Sequence, residues 1–258
     1  MSKLKLTGIH HAFQRKKEIV PVLADIHLHV DQGEFVSIIG PSGSGKSTLF
    51  HIIGGLLQPS VGEVWLDGEK VTGKKGLISY MPQQPALFPW RSIEANVALG
   101  LEVAGEARHT SIAKAREWLP KVGLGGYERE FPHVLSGGMQ QRVSFLRALL
   151  SPQELMCLDE PFGSLDALTR QDMQAWLLNI WEHNKRSILF VTHSIEEALF
   201  LSDRIYVLSN KPASVLEEVT VPFARPRHEA ILQEPKFLEL RLHIQGLLRQ
   251  EKPNEKSH

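Results

Sequence analysis

The sequence predicts an α/β fold with a mostly parallel sheet, an N-terminal antiparallel β subdomain and an inserted helical subdomain. Three observations lead there. The short apolar runs EFVSIIG (34–40), ELMCLDE (154–160) and SILFVTH (187–193) show no polar alternation, as expected of parallel strands covered on both faces. Earlier, VLADIHLHV (22–30) alternates, with Ala24, Ile26 and Leu28 on one face and Asp25, His27 and His29 on the other. That pattern marks a half-buried strand. Between about 92 and 150 the strand signals vanish and helical patterns replace them.

The remaining elements follow in chain order. Residues 3–9 and VGEVWLDG (61–68) read as further strands of the antiparallel part, and TLFHIIGGLL (48–57) as an apolar helix. SIEANVALGLEV (92–103), SIAKAREWLPKVGL (111–124) and MQQRVSFLRALL (139–150) supply the helical insertion, bounded at about 88–152. Met173, Trp176, Leu177, Ile180 and Trp181 recur at helical spacing, so 167–183 is an amphipathic helix. RIYVLSN (204–210) is a fourth buried strand. A C-terminal tail from about 211 holds a strand in SVLEEVTV (214–221), a helix near 234–250 and an unstructured end, EKPNEKSH. The whole reads as a single domain over 1–258.

Composition narrows the function. Lys plus Arg equals Asp plus Glu, 29 each, which argues against nucleic acid as a partner. The single cysteine, Cys157, allows no intrachain disulfide and reads as a core residue. The first residues, MSKLKLTGIHHAF, lack the apolar segment of a signal peptide, and no apolar run has the length of a membrane span. Work at a membrane therefore requires docking on a partner that crosses it. His10, His11, His27 and His29 cluster in sequence, but no carboxylate or cysteine spacing supports a metal site, so they read as surface strand positions.

The chemistry begins at Gly40-Pro41-Ser42-Gly43-Ser44-Gly45-Lys46-Ser47, followed by Thr48. This satisfies G-x-x-x-x-G-K-[ST] between a buried strand and a helix. Glycines let the backbone turn its N–H groups toward anionic oxygens, and the helix N-terminus adds its positive dipole end. Lys46 is expected to reach the β- and γ-phosphates of ATP, and the Ser47 hydroxyl to ligate Mg²⁺. Asp159 ends the strand ELMCLD, at the sheet edge where open α/β sheets bind ligands, and suits the metal. Glu160 follows and could deprotonate an attacking water. The alternatives are a chance Gly/Ser turn and a solvated acidic strand end.

Many proteins carry such a loop. Leu135-Ser136-Gly137-Gly138-Met139-Gln140-Gln141-Arg142 decides between them. Two glycines at the mouth of a helix, beside a serine hydroxyl, make a second anion-binding nest, which one chain needs only if it serves another copy. On these motifs the chain resembles an ABC transporter nucleotide-binding subunit, with a P-loop NTPase core, over nearly its whole length. The resemblance implies a head-to-tail dimer in which Ser136, Gly137 and Gly138 meet the γ-phosphate held by the partner. It also implies that Gln83, in Tyr80-Met81-Pro82-Gln83-Gln84, touches Mg²⁺ and the water, although Gln84 is adjacent and Pro82 stands where the family often has an aromatic. Asp166, in Ser164-Leu165-Asp166, resembles the residue that crosses the dimer interface. His193 resembles the histidine that bonds the γ-phosphate. Phe13 resembles the ring that stacks on adenine, where tyrosine is commoner.

FGSLDALTR (162–170) resembles bacterial importer subunits. PALFPW (85–90) and ARPR (224–227) resemble the nitrate, sulfonate and taurine group, whose relatives also carry thiamine-precursor pyrimidines and other small solutes. In that family PALFPW lies where the permease docks. The expected function is thus ATP hydrolysis at the cytoplasmic face of the cell membrane, coupled to transmembrane permease subunits and indirectly to an extracytoplasmic solute-binding protein. A soluble ABC ATPase without a transport role and a P-loop kinase are the alternatives from other classes.

Overall fold

A computed structural model describes residues 2–15 and 18–251, so the expected unstructured end, EKPNEKSH at 251–258, lies outside the described residues apart from Glu251. The chain forms two compact units, Met1–Leu77 with Trp181–His258, and Ile78–Ile180.

The first unit holds β1 (Ser2–Arg15), β2 (Glu18–Asp31), β3 (Phe35–Ile39), α1 (Lys46–Ile53), β4 (Val61–Leu66) and β5 (Glu69–Lys70). The second contributes β6 (Ser79–Met81), α2 (Ile93–Val103), α3 (Arg108–Trp118), α4 (Gly137–Leu150), β7 (Leu155–Asp159) and the start of α5 (Ala167–Asn184). The chain then returns to the first unit with β8 (Ser187–Val191), α6 (Ile195–Leu201), β9 (Arg204–Leu208), β10 (Val215–Thr220) and α7 (Pro235–Gln250).

In the first unit, an antiparallel sheet runs β2-β1-β4-β5. In a second sheet β3 lies parallel to both β8 and β9, and β10 pairs antiparallel with β9. Every residue of β3 and β8 is buried, as their unbroken apolar runs predict. Ile39, Ile205 and Val207 of this sheet pack with Leu199 of α6 and Phe237 and Ile244 of α7 in one core cluster. Burial of that apolar surface is what holds α7 to the sheet.

The antiparallel strands depart from simple alternation. In β1 the buried apolar residues are Leu4, Leu6 and Ile9, and Lys3 and His11 are buried with them. Gly8, at φ +57°, makes the left-handed step of a bulge, and the pairing of β1 slips there. Asp25, at φ +54°, makes a similar step in β2. Ile26, Leu28 and Val30 are buried beyond it as expected, but before it Val22 and Leu23 take the core positions and Ala24 is only half-buried. His11, expected on the surface, is buried for the same reason: one extra residue exchanges the two faces of a strand.

In the second unit β6 and β7 pair in parallel, and the Ser79 hydroxyl donates to the Ala148 carbonyl at 2.6 Å, tying β6 to α4. Cys157 is buried within β7, as expected. The third helix ends at Trp118, earlier than its apolar pattern suggests, because Pro120 lacks the N–H that would continue the ladder.

Arg225 and Arg227, of the ARPR string, grip the end of α6. Arg227 is 5% exposed and donates to the carbonyls of Leu199, Phe200 and Ser202 at 3.3, 3.2 and 2.6 Å. Arg225 donates to Leu201 O at 2.7 Å and to Asp203 Oδ1 at 2.8 Å, with its guanidinium over the Trp181 ring. A helix C-terminus carries orphan carbonyls and the negative end of the dipole, so two cations suit it. Burial, and then the neighbouring Arg225, lowers the Arg227 guanidinium to about 10, which keeps it charged at neutral pH. The string is thus a structural clasp. Arg227→Met should strand buried carbonyls and cost about 2–4 kcal/mol, read as a lowered Tm, and Arg227→Lys should recover only part of the loss.

Candidate functional site

In the first unit, β3 ends at Ile39 and the chain passes through 40–45 into α1. The loop is held by its own groups. Ser44 N donates to Pro41 O at 3.1 Å, and Lys46 Nζ donates to the carbonyls of Gly40 and Pro41 at 2.9 Å each. Gly45 adopts φ +110°, and a Cβ there would lie 2.8 Å from Val22 Cγ1, so no other residue fits. Gly43 also has positive φ, but a Cβ on it would meet nothing within 4 Å, so that side of the loop is open. Ser47 and Thr48 occupy the first turn of α1, which contains no acidic residue to compete for an anion.

His193 lies beyond the end of β8, after Thr192, and is exposed. Its neighbours are fixed: Ser194 caps α6 by accepting from Glu197 N at 3.2 Å, and Thr192 Oγ1 donates to Glu197 Oε2 at 2.5 Å. Ser194 N in turn donates to Thr192 Oγ1 at 3.0 Å, so the histidine projects from an anchored strand-to-helix turn. Phe13 lies on β1, 41% exposed, with its ring against His11.

In the second unit, Asp159 is buried at the end of β7 and Glu160 follows at φ +48°. Left-handed backbone is strained for a residue with a Cβ and collects at functional positions. Gln83 Nε2 donates to Glu160 Oε2 at 3.0 Å, which singles it out from the adjacent Gln84. Burial, then the carboxylate of Asp159, raises the Tyr80 hydroxyl well above its ordinary pKa, leaving it protonated.

Gln141 lies in the string 135–142, where its spacing alone assigns it no role. It is 3% exposed and donates to Glu160 O at 3.1 Å and to Gln83 O at 3.5 Å, while the Ser164 hydroxyl donates to its Oε1. One side chain therefore holds Gln83, Glu160 and Ser164, which lie 58, 19 and 23 residues from it in sequence. No spacing could have revealed it, because each partner atom is reached only through tertiary packing.

Ser136 is the N-cap of α4, accepting from Met139 N at 3.3 Å. Gly137 faces open space, whereas a Cβ on Gly138 would crowd Leu165 Cδ2 at 3.2 Å. Asp166 accepts from Thr169 N at 3.0 Å at the start of α5. Its carboxyl is held below the usual range, first by the Thr169 side chain and then by the Thr169 backbone.

PALFPW is a built loop. Asn96, fully buried, accepts from Phe88 N at 2.8 Å and donates to the carbonyls of Phe88, Arg91 and Ser92. Arg147 donates to Pro85 O and Ala86 O at 2.9 Å each. On this rigid base Trp90 is 72% exposed, with its ring 5.2 Å from that of Phe88. The two rings together present apolar surface to solvent on an anchored backbone.

The left-handed geometry of Glu160 gives a stability test. Glu160→Gly should be about 1 kcal/mol more stable than Glu160→Ala in chemical unfolding, since both lose the side chain and only glycine relieves the backbone. Equal stabilities would show that the position is unstrained.

Comparison with known proteins adds to this geometry. The family model described as ABC transporter matches residues 23–163. An aliphatic sulfonates import ATP-binding protein of Bacillus cereus is 41% identical over 233 residues, covering 90% of this chain and 92% of that protein. A nitrate import ATP-binding protein of Synechocystis is 38% identical over 252 residues, covering 95% of each. A solved dimeric ATP-binding cassette in a post-hydrolysis state, bound to ADP and phosphate, is 31% identical with a TM-score of 0.78, covering 86% of this chain and 100% of that one. With the phosphate loop, the second glycine-rich helix start and the fold all in agreement, this chain belongs to the ABC transporter family.

Proposed function

We propose that this chain is the ATP-binding and ATP-hydrolysing subunit of an importer, acting as a head-to-tail dimer on transmembrane permease subunits. The observation that carries this is the presence of two anion-binding nests on one chain. The loop at 40–47 accounts for a nucleotide of its own. The helix start at Ser136–Gly138 has no acidic residue in its first turn and an open Gly137, which suits a nucleotide held by a second copy.

Roles follow from the side chains. Backbone N–H groups of the phosphate loop and the Lys46 ammonium bind the β- and γ-phosphates. Ser47 in the first unit offers a hydroxyl oxygen, and Asp159 and Gln83 in the second offer carboxylate and amide oxygens, each a hard donor of the kind that Mg²⁺ takes. Mg²⁺, when bound, neutralises phosphate charge. Glu160 orients and deprotonates the attacking water, His193 bonds the γ-phosphate, and Phe13 stacks on adenine. Ser136 and Gly138 act on the partner's nucleotide, and Asp166 lies toward the partner. Trp90 and Phe88 form the surface offered to the permease.

No helix among the described residues is long and apolar enough to cross a membrane. We place the subunit peripherally on the cytoplasmic face, with an extracytoplasmic solute-binding protein delivering cargo to the permease. The sulfonate and nitrate import relatives named above support a small anion as cargo, in the nitrate, sulfonate or taurine-like class.

Reconstitution with the permease tests this. Glu160→Gln should bind ATP and dimerise but lose turnover by about two orders of magnitude or more. Near-normal turnover would remove Glu160 from the chemistry. Ser136→Arg should leave ATP binding by the monomer intact and abolish ATP-dependent dimers in sedimentation; dimers of that variant would rule out the shared site.

A further inference from the structure

We propose that His11 is a positioning residue for Phe13, so that the two rings form a preset right-angled corner against which the nucleotide base stacks. The proposal rests on the assignment of Phe13 as the stacking ring and adds what holds that ring in place.

The bulge at Gly8 puts Ile9, His11 and Phe13 on one face of β1. Along that face exposure rises from 0% at Ile9 to 8% at His11 and 41% at Phe13. The His11 and Phe13 ring centroids lie 4.7 Å apart with an interplanar angle of 83°, the edge-to-face geometry that aromatic quadrupoles favour. The pairing of β1 with β2 is irregular on both sides of His11. The backbone is anchored nearby: Ser60 N donates to His10 O at 2.8 Å, and Ala12 N to Ser60 Oγ at 3.4 Å.

Histidine is a costly choice for this position. Both ring nitrogens are buried and have no hydrogen-bond partner among the described residues. Leaving polar atoms unpaired in the interior is destabilising, and an aliphatic side chain would fill the space without that penalty. What the imidazole supplies and an aliphatic residue does not is a flat ring set against Phe13. An exposed phenylalanine at a strand position would otherwise sample more than one χ1 well. Holding the ring in one orientation before the ligand arrives removes the ordering cost from the binding step.

The test measures binding of Mg-ATP and of Mg-tripolyphosphate, which has the phosphates but no base. The full-length variants are His11→Ala, His11→Phe, His11→Leu and Phe13→Ala. Removing the imidazole ring should weaken ATP binding about three- to tenfold, the range an edge-to-face contact supports, with tripolyphosphate affinity unchanged. His11→Phe, which keeps a ring, should bind ATP within about twofold of the original chain. His11→Leu fills the space without a ring; it should weaken ATP binding like His11→Ala, and it carries the comparison if His11→Ala fails to fold. Unchanged ATP affinity in both ring-less variants would overturn the proposal. So would an equal loss for ATP and tripolyphosphate, which marks a purely structural role. Phe13→Ala separates the two levels. If it weakens ATP binding while the His11 variants do not, only the positioning role fails; if it has no effect, the stacking assignment and the positioning role fall together.

Discussion

Gly45 approaches β2 so closely that a Cβ would stand 2.8 Å from Val22 Cγ1 and 3.0 Å from Leu23 Cδ2. That contact joins the phosphate loop to the antiparallel sheet. Val22 and Leu23 are both buried, just before the left-handed step of β2 at Asp25. The backbone of the loop is therefore seated on a packed apolar surface. A loop of glycines and serines has little stiffness of its own, since glycine populates both signs of φ. Its shape is set by what it leans on and by the two carbonyls that Lys46 holds.

A similar economy operates in the other unit, through polar contacts. Gln141 gathers the backbone of Gln83 and Glu160 and the hydroxyl of Ser164. Buried amides are stable only when their donors and acceptors are matched, so a change at one of these residues is felt by the others. Because Gln141 belongs to α4, which Ser136 caps, the helix that opens on the second nest also holds the carboxylate strand end. The Ser136 cap and the Gln141 contacts to Glu160 thus lie on one helix, less than two turns apart.

The motifs were legible because their chemistry demands particular residues in close order. The phosphate loop, the Asp159–Glu160 pair and the Ser136–Gly138 helix start each lie within a few residues of chain, and the apolar runs beside them mark strand and helix directly. ARPR was legible as a string but not as a structure. Its arginines serve carbonyls more than twenty residues away, and only the return of the chain past α6 brings them there. β6 has three residues, too few to show any period, and α6 has seven, with its start marked only by Ser194 and Glu197.

By itself the sequence determined the class of chemistry. A backbone nest for phosphate, a carboxylate at a strand end and a second helix N-terminus are local features, written in residue types at fixed spacing. Tertiary structure decided which of two adjacent glutamines meets Glu160, which side of β1 carries His11 and Phe13, and what ARPR does. A single left-handed residue at Gly8 or Asp25 exchanges the faces of a strand, and hydrophobic pattern carries no mark of that step until the strand is paired and packed.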